Sequence, residues 1–227
     1  MNKVFFAIMF LMAVTARLMA QPNSIVEKYA NDTAGFKAYP DVFLLDNMKP
    51  AKSYKRLEIN TINFMYRARG DNRPQDEYRN VYSYPAIAKK SSGTIVLTKC
   101  GVLKCFSACW CPDGYPWYIS AQTKDNKLIT VGDTNAVKTF LSKINDKFNA
   151  YFWLQLHHMQ YQGIPVKASR FFKYKKVKNG FLISFRDLIE TSPVTNADLT
   201  YFISNDFKIR LISTKNVVVT KGLSYRI

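Results

Sequence analysis

The sequence predicts an α+β fold in which a long helix packs on a curved antiparallel sheet, and three observations carry that prediction. Apolar residues recur at helical spacing from Asp133 to Phe152. The last third reads as hairpins, with Asn179-Gly180 and Asn205-Asp206 set between runs of β-branched and aromatic residues. Between Arg56 and Arg67 the apolar residues change parity partway, as a bulge or sharp bend requires. Helical segments followed by a meander place the helix on one sheet face.

The chain opens on MNKVFFAIMFLMAVTARLMA. Lys3, the apolar run Val4 to Val14 and the small residue Ala20 have the layout of a secretory signal peptide cut after Ala20. That run is about half of the roughly 20 apolar residues a spanning helix needs. No cysteine lies near the cut, so lipid attachment there is excluded. The expected product is a secreted or periplasmic chain, residues 21–227, forming one α+β domain without a transmembrane segment. Its net charge falls from +17 to about +15, because Lys3 and Arg17 leave and no acid does.

The elements follow in order. Ser24 and Glu27 are spaced as a capping box, and Ile25, Val26, Tyr29 and Ala30 share a helical face. Phe36 to Met48 has no clear type. In the strand from Arg56, Leu57, Ile59 and Thr61 alternate with Glu58 and Asn60; Ile62, Phe64 and Tyr66 then take the opposite parity. Arg67 to Tyr78, with Gly70 and Pro74, reads as a loop, and Thr94 to Thr98 as a short strand. Tyr118–Gln122 and Lys127–Val131 read as a hairpin around Lys124-Asp125-Asn126.

The long helix starts at a cap, Asp133 or Thr134, and its stripe is Ala136, Val137, Phe140, Leu141, Ile144, Phe148, Tyr151 and Phe152. Phe171–Val177 pairs with Phe181–Ile189, then Thr200–Ser204 with Phe207–Ser213, and Val217–Thr220 adds a further strand. A curved sheet wrapped around the helix, as in cystatin-like or NTF2-like architectures, suits the parity change.

All four cysteines lie in CGVLKCFSACWC: Cys100, Cys105, Cys109 and Cys111. In an oxidising compartment an even set is usually paired. Joining Cys109 to Cys111 closes a strained ring, so Cys100 pairs with Cys111 or Cys109, and Cys105 with the other. The spacing does not match structural zinc or plant-type iron–sulfur sites, so no metal and no cofactor is assigned. The histidines, His157 and His158, point about 100° apart on a helix. Nothing local supports either as the partner of Cys105 or Cys109, and Asp187, Glu190 and Asp198 form no paired-carboxylate pattern. No complete catalytic signature is present.

Charge is the more informative feature. Lys167, Arg170, Lys173, Lys175, Lys176 and Lys178 crowd the start of the Asn-Gly hairpin beside Phe171, Phe172 and Tyr174. Arg67, Arg69, Arg73 and Arg79 add a second basic stretch. Trp110, Tyr115, Trp117 and Tyr118 form an aromatic loop beside the cysteines, able to stack on sugars or to cover disulfides. The expected function is an exported, disulfide-stabilised binding module for an anionic ligand or surface: phospholipid, lipopolysaccharide or anionic glycan. Export disfavours nucleic acid, the usual partner of interleaved bases and aromatics. The alternative is a cysteine-cluster metal-binding or thiol-redox protein. Intact mass after alkylation separates the two. Two disulfides leave all four cysteines unmodified until a reductant is added; adducts without reductant count against the staple.

Overall fold

The computed structural model describes residues 25–26, 28–32, 34–64, 76–85, 106, 117–158, 166–191 and 194–220. The first is a short helical stretch at residues 25–26 and 28–29. It is followed by β1 (Lys37–Ala38), α1 (Leu44–Asn47), β2 (Tyr54–Phe64), β3 (Asp76–Tyr84), β4 (Trp117–Thr123) and β5 (Leu128–Val131). Then come α2 (Thr134–Leu141), α3 (Lys147–His158), β6 (Lys173–Val177), β7 (Gly180–Thr191), β8 (Val194–Ser204) and β9 (Ile209–Thr220). The strands form two antiparallel sheets, ordered β1-β6-β7-β8-β9 and β3-β2-β4-β5.

The expected long helix on one curved sheet is not what forms. About half of the structure is strand, there are two sheets, and the helices are short. The cystatin-like or NTF2-like arrangement goes with it. The stripe itself is right: its residues from Val137 to Phe152 are at most 7% exposed. What breaks is the helix. Ser142 adopts a left-handed φ of 62° after its amide donates to the Lys138 carbonyl (2.7 Å), which ends α2. The Ile144 amide then donates to Asn205 O (3.0 Å) in the β8–β9 turn. Asp146 restarts the helix by accepting from the Phe148 amide (2.8 Å), because a short carboxylate satisfies a free N–H at a helix start.

This break lets α3 turn into the space between the sheets. Phe148 to Leu154 are all buried, and a helix that is buried all round needs cover on every side. The β3-β2-β4-β5 sheet supplies Leu57, Ile59, Trp117 and Ile119; the other sheet supplies Phe181, Ile183, Phe185, Ala197, Leu199 and Ile203. Phe152 meets Trp117 edge-on, Tyr151 meets Phe172, and Trp153 Nε1 donates to the Phe207 carbonyl (3.0 Å).

Other expectations are corrected in detail. The β2 parity change does not mark a bulge at Thr61–Ile62. Leu57 and Ile59, and also Glu58, Asn60 and Ile62, are buried, so both faces of β2 are covered. A register shift does occur against β3 between Ile59 and Asn60; there Tyr82 and Asn80 are the partners and Val81 is the extra residue. The end of the expected loop, from Asp76, is strand β3. Val217–Thr220 continues β9 and is no separate strand. Phe36–Met48 holds β1 and α1. Ser24, Glu27 and Thr94–Thr98 lie outside the described residues. The other hairpins match, and Asn126 carries the positive φ (64°) in the β4–β5 turn.

In the β6–β7 turn the left-handed residue is Asn179 (φ 68°), while Gly180 is already strand. The glycine is needed for clearance. A Cβ there would collide with the Ile203 carbonyl oxygen and the Phe202 ring. Gly180→Ala should therefore cost about 1–3 kcal/mol, the range for overpacking a filled core. Urea unfolding checks this, and an unchanged midpoint would contradict the clash.

The Tyr39 phenol is buried and donates to the Lys147 carbonyl (2.9 Å). Burial, then Tyr151, Tyr174 and Asp146 nearby, hold its ionisation well above the ordinary phenol range. Tyr151 is pushed up to about 12, mainly by burial. Both folded values lie above the unfolded one, so the unfolded chain ionises first. Their contribution is complete below about pH 10 and is lost as pH rises beyond it. The midpoint should fall between pH 10 and 11.5, with these two phenols ionising only as the chain unfolds; early phenolate absorbance from all tyrosines would oppose this.

Candidate functional site

The outer face of the five-stranded sheet carries two kinds of surface. Near the turns it is apolar. Leu182, Phe202 and Ile212 are buried there by the N-terminal helical stretch, whose Tyr29 stacks on Phe202 (6.0 Å). From that stretch the chain turns at Gly35, whose φ of 76° is readily available to glycine, and β1 then pairs with β6. Further along the strands the same face is polar. An open groove of about 440 Å³ lies between the N-terminal segment and this polar floor.

Sheet register builds the floor. Lys173 faces Ser184, Ser184 faces Thr200, and Thr200 faces Ser213, giving one row across β6, β7, β8 and β9. One step along, Arg186, Asp198 and Lys215 make a second row. Period-two alternation puts the β7 and β8 members on the same face as Leu182 and Phe202. Thr200 and Ser184 hydroxyls lie 3.2 Å apart. The three hydroxyl residues are half-buried and reachable from the groove.

The acids of the groove are already matched. Asp32 accepts from Lys175 Nζ at 2.6 Å. Asp198 pairs with Arg186 (3.4 Å) and accepts from Asn216 Nδ2 (2.6 Å). Lys173 and Lys215 have no ion-pair partner among the described residues, so they leave the groove with surplus positive charge. Ammonium groups beside hydroxyl donors are the chemistry that holds an anionic oxygen.

The predicted basic cluster is dispersed. Lys173 lines the groove and Lys175 helps to build its wall. Lys176 alternates to the opposite strand face, and Lys178 is exposed in the turn. Lys167 Nζ lies 4.5 Å over the Phe43 ring, and Arg170 is held by Asp41, through its backbone amide at 3.0 Å. Trp117 and Tyr118 are not loop residues. They belong to β4 at 2% and 0% exposure, so their rings serve the interior. Trp110, Tyr115 and the four cysteines lie outside the described residues. Phe106, within the cysteine-rich stretch, exchanges two backbone hydrogen bonds with Trp117 (2.9 Å each). His157 Nδ1 lies 2.9 Å from the Trp153 carbonyl one turn back, and the His158 side chain is outside the described set.

Sequence reasoning missed Ser184, Thr200, Ser213, Lys215 and Asn216, and it weighed Asp198 only with Asp187 and Glu190, as a paired-carboxylate pattern that the spacing does not support. A polar cluster on the second sheet is of a different kind. Glu58, Asn60 and Ser120 are fully buried; Arg56 pairs with Glu58, and the Asn60 amide reaches Glu58 (3.3 Å) and Ser120 (2.9 Å). Asn80 donates to Asn60 (3.0 Å), and the network is internal and serves packing.

Neither protein-family models, nor curated proteins, nor solved structures match this chain. No helix among the described residues is long and apolar enough to cross a membrane.

Proposed function

We propose that the chain is an exported binding module for an anionic ligand, and that the ligand sits in the groove on the outer face of the β1-β6-β7-β8-β9 sheet. The observation that carries this is the mismatch of charge. The acids Asp32 and Asp198 are engaged by Lys175, Arg186 and Asn216, whereas Lys173 and Lys215 flank a row of hydroxyls and make no ion pair among the described residues. The mature chain's net charge of about +15, left once Lys3 and Arg17 are removed, supports it by drawing anions toward the surface at long range. Disulfides among Cys100, Cys105, Cys109 and Cys111 remain part of the proposal, as does export.

The test is calorimetric titration with a polyanionic glycan and with anionic liposomes across a salt series. Binding should weaken steeply with salt, because the contacts are ionic. Lys173→Ala with Lys215→Ala should weaken binding about tenfold or more, equivalent to about 1.4 kcal/mol. Lys124→Ala, an exposed lysine in the β4–β5 turn, should leave it unchanged. Binding that ignores salt, or that falls equally in the Lys124 variant, would sink the reading.

A further inference from the structure

We infer that the ligand is an extended acidic glycan segment, with Lys173 serving one end and Lys215 the other; this rests on the anion-binding reading above. The span comes first. Lys173, Ser184, Thr200 and Ser213 sit on four successive strands. Adjacent strands lie ~4.8 Å apart, so this row runs roughly 14 Å, and Lys215 lies ~7 Å further along β9. An isolated phosphate is far shorter than that distance, whereas an oligosaccharide bearing acidic groups matches it.

The floor chemistry also favours sugar. Ser184, Thr200 and Ser213 present hydroxyls that both donate and accept, which suits ligand hydroxyls that do the same. The Asp198 carboxylate holds Arg186 and Asn216 and keeps acceptor capacity for a further hydroxyl. Phe36, half-buried in the wall, offers a ring to the C–H face of a sugar.

Competing polymers fit less well. The main-chain groups of β7 and β8 are engaged in ladders on both sides, so a peptide lying on this face meets side chains alone. Apolar lining is confined to Ala30, Phe36 and Ala38, too little to bury acyl chains.

The full chain should be titrated with uronic-acid oligosaccharides of increasing length, with inorganic phosphate, and with phosphatidylglycerol vesicles. Affinity should climb about tenfold or more from the monosaccharide to the longest oligomer. Lys173→Ala or Lys215→Ala should each abolish most of that climb while barely changing monosaccharide binding. Ser184→Ala with Thr200→Val should weaken the oligomer more than phosphate, with far-UV circular dichroism reporting that the fold is kept. Equal affinity for monosaccharide and oligomer, or lysine-dependent binding to phosphate or vesicles alone, overturns the glycan inference and leaves the anion site standing. Absence of lysine-dependent binding to every probe overturns both.

Discussion

The enclosure of α3 is the constraint on which the rest depends. A segment reading KFNAYFWLQLHH, with Phe148 through Leu154 all removed from water, cannot rest on one layer. Two sheets are needed to close around it, and the break at Ser142 to Asp146 is what gives the helix its direction. Fully burying one large apolar side chain contributes about 1.5–3 kcal/mol, so this helix supplies a large share of the driving force. The inner faces of both sheets are committed to it.

That commitment decides where a ligand can go. On the β3-β2-β4-β5 sheet the second face is closed where the Glu58–Asn60–Ser120 network lies. On the other sheet it is closed near the turns, over Leu182, Phe202 and Ile212, and open beyond them. The groove lies at that boundary. Its lysines are held at the spacing of a hydrogen-bonded sheet, so recognition there depends on strand register more than on loop shape.

Much of the core was legible in the sequence. The apolar stripe from Val137 to Phe152 and the hairpins at Asn126, Asn179 and Asn205 are local patterns, and they appear in the structure. The helix break was not read from the sequence, because the apolar spacing runs through Ser142 to Asp146 without interruption. In β2, parity was misread because burial on both faces removes the alternation that distinguishes them. The groove was only half legible. Pairing of Lys173 with Ser184 follows from the β6–β7 turn, since Val177 faces Gly180. Extending the row to Ser213 requires the β7–β8 register and a shift at Thr200–Tyr201 in the β8–β9 pairing, and no short pattern encodes either. Counting lysines along one strand overlooked that alternate residues face apart and that several are already engaged by Asp32, Asp41 or Phe43.

The Lys175–Asp32 pair has a kinetic consequence. Its partners are 143 residues apart in sequence, and they join the wall of the groove to its floor. The floor can assemble from hairpins that need little chain closure. The wall arrives only when the N-terminal segment finds a sheet made from the far end of the chain, which carries the entropic delay of a very long loop. Topology therefore predicts that the pocket forms late on the folding route, and a chain caught short of that step would have most of its strands and no completed groove.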